Sequence, residues 1–161
     1  MSTVEKFEDL ICWQRARLLT QEIYRLFQDL NTSEFKGSKV DRGLQDQIQR
    51  ASVSIMSNIA EGFERGTKQE FLNYLYIAKG SAGEVRAQLY VALDAGYLDS
   101  EMFKRLNRLT RDCSVLIYRL SQSLKISEFK GLQFKREKIQ FQKEKEELDA
   151  HLKQILDKYK K

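Results

Sequence analysis

A chain of 161 residues has the length of one domain and can bury a core without disulfide or metal support. Apolar residues at 42% and charged residues at 32% exclude a disordered chain, while a net charge of +5 permits a polyanionic partner without demanding one. Eight glycines and no proline leave too little turn chemistry for an all-β fold, so the chain reads as nearly all helix.

The first helix is predicted over Leu10–Leu30, where Trp13, Ala16, Ile23, Phe27 and Leu30 recur at helical spacing behind Asp9 as N-cap. Residues 31–43, with Asn31, Gly37, Ser38 and Gly43, read as a loop. A second helix follows over Leu44–Phe63, burying Ile48, Ala51, Ile55, Ile59 and Gly62. Thr67-Lys68-Gln69-Glu70 matches a capping box and starts a third helix, whose core stripe is Phe71, Leu75, Ala78, Ala82, Val85, Leu89 and Ala92. Gly96 ends it. Asp99 or Ser100 caps a fourth helix with Phe103, Leu106, Thr110, Cys113, Ile117, Leu120 and Leu124 inward. Stripes stepping by about 3.5 residues and short connections predict an all-α, up-and-down antiparallel four-helix bundle within residues 1–124.

Residues 125–161 form a second region, a charged amphipathic helical tail holding 11 basic and 7 acidic residues. Phe134, Phe141, Leu148 and Ile155 repeat every seven residues there, with Leu152 and Tyr159 at matching positions. Lys138 and Lys145 interrupt the seam. The pattern fits a solvated helix, one docked on its own bundle, or a coiled-coil or partner-binding helix.

Enzyme signatures are missing. The single histidine, His151, lies in the tail; no CxxC spacing or phosphate-loop glycine pattern occurs. The paired Glu-x-x-His motifs of a di-iron bundle are absent as well. The expectation is a non-enzyme without metal or cofactor. With no membrane-length apolar run and a polar start, the expected location is the cytoplasm.

The outward faces carry more. Leu72, Tyr76, Gly83, Ala87 and Tyr90 form a second apolar stripe on the third helix, and the first helix turns Ile11 and Leu18 outward. One core cannot bury two opposite sides of a helix, so these residues are expected at a contact between subunits of a homo-oligomer. Lys104, Arg108, Arg111 and Arg119 share one face of the fourth helix, and Lys79 and Arg86 flank the third-helix stripe. Repeated around an oligomer, such a stripe makes a positive ring suited to phosphate. On the second helix, Arg50, Ser54, Ser57 and Glu61 form a polar stripe among small residues that let a neighbouring backbone come close, within a subunit or between subunits.

Phe7-Glu8-Asp9-Leu10, Trp13-Gln14 and Ala16, then Gln47-Ile48 and Arg50-Ala51-Ser52-Val53-Ser54-Ile55, occur in an order shared with a known family. So do Ser57-Asn58-Ile59-Ala60-Glu61-Gly62-Phe63, Arg65-Gly66, Lys68, Glu70-Phe71, Leu75 and Ile77-Ala78-Lys79-Gly80-Ser81. Over residues 7–124 the chain resembles the bacterial four-helix-bundle family encoded in 23S ribosomal RNA intervening sequences. Its motif falls here on Arg50, Ser54, Ser57, Asn58, Glu61, Gly62 and Arg65. The resemblance implies a homopentameric barrel. It also implies kinship with the accessory variability protein of diversity-generating retroelements, which binds nucleic acid through a basic surface and partners a reverse transcriptase. Met56 stands where the family often has proline, and the tail has no counterpart in its short pattern. The expected function is an accessory protein binding structured RNA or RNA–DNA. The alternative is a protein–protein scaffold that docks a partner through the outer stripe or the tail.

Overall fold

The structure, a computed structural model, describes residues 4–32 and 41–127. A single 3-10 turn at Phe7–Asp9 leads into four helices: α1 (Ile11–Thr32), α2 (Arg42–Glu64), α3 (Lys68–Asp94) and α4 (Ser100–Ile126). The expected all-α bundle is present. Nearly all of the tail region, with its heptad positions, lies outside the described residues.

The chain's own chemistry sets these boundaries. At α1, Asp9 belongs to the preceding turn and faces Lys6 at 3.8 Å. The first helical bond instead runs from the Gln14 N–H to the Leu10 carbonyl at 3.0 Å, so Asp9 is not the cap. The second helix starts two residues earlier than its periodicity suggested, because Asp41 Oδ1 accepts from the Leu44 N–H at 3.0 Å. Thr67 caps α3 by accepting from the Glu70 N–H at 3.2 Å, and its hydroxyl donates to Glu70 Oε2 at 2.6 Å. Gly96, at φ +74°, lets the Tyr97 N–H reach back to the Ala92 carbonyl at 2.9 Å. Asp99 Oδ1 then caps α4 through the Met102 N–H at 2.7 Å.

All five α2 and all seven α3 stripe residues are buried, as are Leu106, Thr110, Cys113 and Ile117 of α4. Phe103, Leu120 and Leu124 are half-buried at the bundle's ends. Leu19, Ile23, Ile48, Ile55, Ile59, Leu75, Leu89 and Leu106 are sealed completely. Each contributes about 1.5–3 kcal/mol of apolar transfer energy. The Thr110 hydroxyl avoids an unpaired burial by donating to the Leu106 carbonyl at 2.8 Å.

α1 packs on α2 and α4, and α3 packs on the same two helices. Helices α1 and α3 therefore stand diagonally, with outward faces on opposite sides of the bundle. One residue expected outside is not there. Leu72 is only 7% exposed. Its flank of α3 turns toward α4, as Lys79 seven residues later shows by lying over the Tyr118 ring.

Candidate nucleic-acid interface

The basic face of α4 takes its direction from the core stripe. Leu106, Thr110, Cys113 and Ile117 point inward, which turns Lys104, Arg108, Arg111 and Arg119 outward, and all four are exposed. Lys104 pairs with Glu101 at 3.1 Å. Arg108, Arg111 and Arg119 form no ion pair among the described residues. Arg105, one position off this face, has another role: it reaches across to Glu22 of α1 at 2.5 Å. The Glu22 side chain is only 12% exposed and also meets Arg25 at 3.7 Å.

Between α1 and α4 lies a groove lined by Leu18 and Leu109, by Glu22 and Glu101, and by Lys104, Arg105 and Arg108. Leu18 of the expected subunit contact and two of the expected phosphate contacts thus come together. The other apolar positions divide by helix. Ile11 is exposed on α1; Tyr76, Gly83, Ala87 and Tyr90 are exposed on α3, on the far side. Sequence reasoning missed further exposed apolar residues beside them: Ile77 and Val91 on α3, Val115 and Tyr118 on α4. They fall between the stripes that periodicity picks out.

Lys79 Nζ sits 5.8 Å from the centre of the Tyr118 ring, and Lys125 Nζ sits 5.4 Å from that of Tyr76. Tyr90 packs on Phe103 with centroids 4.8 Å apart. Arg86 is half-buried, and its Nε has no hydrogen-bond partner.

The family-motif residues of α2 mostly hold α2 to α3. Ser54 Oγ and Ser81 Oγ are 2.9 Å apart, and Asn58 Nδ2 donates to the Ser54 carbonyl and Oγ at 2.8 and 3.0 Å. Gly62 meets Tyr74 so closely that an added Cβ would lie 2.5 Å from the tyrosine Cβ. Glu61 Oε1 accepts from the Tyr74 hydroxyl at 2.7 Å and from Arg65 at 2.8 Å, and Arg65 also faces Glu70 at 3.5 Å. The Tyr74 hydrogen bond first, and Arg65 next, hold the Glu61 carboxyl below its ordinary value. That carboxylate raises both the Tyr74 hydroxyl and the Arg65 guanidinium. The small, partly polar surface read from the sequence is therefore a contact within the subunit. Arg50 and Ser57 differ: both are exposed, and Arg50 meets Asp46 at 3.7 Å.

Among the described residues, no three or more His, Cys, Asp or Glu side chains gather as a metal site. No helix there is long and apolar enough to cross a membrane. Cys12 and Cys113 are free and buried, and burial pushes their thiols up to about 11 and about 12.

The fold is similar to a crystal structure of a protein of unknown function from the S23 ribosomal protein family of Bacteroides thetaiotaomicron. The TM-score is 0.60 at 21% identity, covering 69% of this chain and 98% of that one. No curated protein matches the chain. Residues 8–119 match the model of the 23S rRNA-intervening sequence protein family. With the bundle and its α2–α3 corner both in place over that span, the chain belongs to the 23S rRNA-intervening sequence protein family.

Proposed function

We propose that this protein is a non-enzymatic, homo-oligomeric accessory factor that binds structured RNA or RNA–DNA through the outward face of α4. The observation that carries the reading is the run of Arg108, Arg111 and Arg119, three exposed guanidinium groups with no ion-pair partner among the described residues. Unneutralised cations along one helix face suit phosphate, giving contact that tolerates sequence and weakens with salt. The family description, which names a 23S rRNA intervening sequence, supports an RNA setting.

The assembly we infer is a ring, a pentamer by the resemblance stated above. Two apolar patches on opposite sides of one subunit favour head-to-tail association, which closes into a ring when the rotation permits. Ile11 and Leu18 of α1 would meet Gly83, Ala87 and Tyr90 of the next copy's α3. Leu18 shares its groove with Lys104 and Arg108, so each junction would carry Arg108, a cation with no ion-pair partner among the described residues, repeated around the ring. A cytoplasmic protein of this kind would assist a nucleic-acid enzyme such as a reverse transcriptase.

The test is a salt titration of a structured RNA and an equal-length duplex DNA, with wild type beside the fourfold variant Lys104→Gln, Arg108→Gln, Arg111→Gln, Arg119→Gln. Loss of four phosphate contacts should lower the slope of log K against log salt by about 3–4. Unchanged affinity and slope overturn the assignment. No wild-type binding at low salt would leave the scaffold reading, with the outer stripe as a docking face.

A further inference from the structure

We propose that the seam between α3 and α4 binds a single strand of nucleic acid, with bases stacked on Tyr76 and Tyr118. The inference rests on the nucleic-acid reading above and assigns that activity a second surface and a strand type. The seam is antiparallel. Tyr76 is level with Lys125, Lys79 with Tyr118, and Tyr90 with Phe103. Arg86 lies one turn before Tyr90 and Asn107 one turn after Phe103, so those two face each other across it. Arg111, seven residues before Tyr118, borders the same seam. From Tyr76 to Arg86, short of Tyr90 and its subunit contact, it runs about 15 Å at 1.5 Å per residue.

Among the described residues its charge is of one sign. Glu84 lies one turn after Ser81, which bonds Ser54 of α2, so Glu84 belongs to the opposite flank of α3. Glu70 is held by Thr67 and Arg65 at the α2 corner, and Asp94 ends the helix. On α4, Glu101 and Asp112 lie four and seven residues from Arg105, whose side chain reaches α1. Lys79, Arg86, Arg111 and Lys125 therefore border the seam without an acid between them among the described residues.

Two lysines rest on tyrosine rings, and neither pairs with a carboxylate among the described residues. Both rings stay substantially exposed, Tyr76 at 43% and Tyr118 at 50%. A phosphate draws an ammonium more strongly than a ring does. An arriving strand would thus take the lysines onto its backbone and leave the ring faces to its bases. Aromatic faces between cations are the pairing by which single strands are held with little sequence preference. At its Arg86 end, Arg86 Nε and Asn107 Oδ1 are both buried without a hydrogen-bond partner among the described residues. Each would reach a base edge or a ribose only once its side chain turned outward.

The test uses the full chain and three labelled probes: an unstructured RNA of about twelve nucleotides, the DNA of the same sequence, and a duplex RNA of equal length. Binding is read by anisotropy and assembly mass by light scattering. The variant Tyr76→Leu/Tyr118→Leu keeps apolar bulk but removes both rings. It should lose at least tenfold in affinity for a single strand, RNA or DNA, and less than twofold for the duplex. Lys79→Gln/Lys125→Gln should weaken single-strand binding and flatten its salt dependence. Equal loss on all probes, no loss with the leucine pair, or a changed assembly mass overturns the proposal. Wild type that binds duplex but no single strand overturns it alone; wild type that binds none of the probes overturns the broader reading as well.

Discussion

Gly62 on α2 and Tyr74 on α3 are in such close contact that a Cβ built on the glycine would stand 2.5 Å from the tyrosine Cβ and 3.2 Å from the Phe71 ring. The obstacle is a side-chain root fixed to a helix backbone, which cannot swing aside. This contact sets the separation of α2 and α3. It also brings Tyr74 within reach of Glu61 and lets Arg65 lie 5.1 Å over the Tyr74 ring.

Gly62→Ala should therefore destabilise the protein although alanine is the better helix former. Overpacking costs about 1–3 kcal/mol, against a propensity gain of about 1 kcal/mol. Gly83, also inside a helix, has nothing within 4 Å of an added Cβ. Gly83→Ala should stabilise the isolated subunit by about the propensity gain. Denaturant melts of the two variants should move in opposite directions from wild type. A Gly62→Ala midpoint at or above wild type would show that the helices can separate freely.

The four helices were legible because their core positions repeat at helical spacing, and Thr67, Gly96 and Asp99 mark ends with chemistry a single sequence displays. The α2 motif was legible as a close-packing surface, but its owner was not. Whether Ser54 and Gly62 meet α3 of the same chain depends on how two helices pair. The ion pair of Glu22 with Arg105 was invisible for a similar reason, since it joins residues far apart in sequence through the docking of α1 on α4. Leu72 was misplaced because a helical position somewhat off the outward axis can still be covered by a neighbouring helix. Asp9 resembled a cap because a short turn before a helix leaves no mark in the hydrophobic period.

The burial of Leu72 changes how the subunit contact should be probed. Leu72→Glu puts a carboxylate where only 7% of the residue is exposed, so it should lower the melting temperature sharply through an unpaired buried charge. Ala87 is exposed, and Ala87→Glu should leave helicity intact while releasing monomers. Light scattering with circular dichroism separates the two outcomes. Full assembly mass in a folded Ala87→Glu protein would remove this face from the contact.

The thiols should be inert. With Cys12 raised to about 11 and Cys113 to about 12, only about one thiol in a thousand or fewer is ionised at pH 8, against about a tenth at the ordinary 9.0. Alkylation at pH 8 should proceed at the rate of unfolding rather than at the rate of a free thiol. The sign for stability follows from linkage. The unfolded chain loses these protons above about 9 while the native state keeps them, so stability falls as pH rises from 9 toward 11. The slope should approach about 1.4 kcal/mol per pH unit for each thiol. Replacing both cysteines with alanine should remove that part of the alkaline decline, which paired melts at pH 8 and 10 would read.

Arg105 and Arg108 lie three residues apart on α4 and line one groove, yet they should separate stability from binding. Arg105 serves Glu22, whose side chain is 12% exposed, through an ion pair. Because the arginine itself is 58% exposed, its loss should cost only about 1 kcal/mol, or about 2–4 °C in melting temperature. Arg105→Gln should therefore melt lower and bind nucleic acid within about twofold of wild type. Arg108, with no ion-pair partner among the described residues, should behave in reverse. Arg108→Gln should melt with wild type while its salt slope falls by about 1, the signature of one lost phosphate contact. If Arg105→Gln lost the greater affinity, the groove itself would be the contact, and phosphate would compete with Glu22 for the guanidinium.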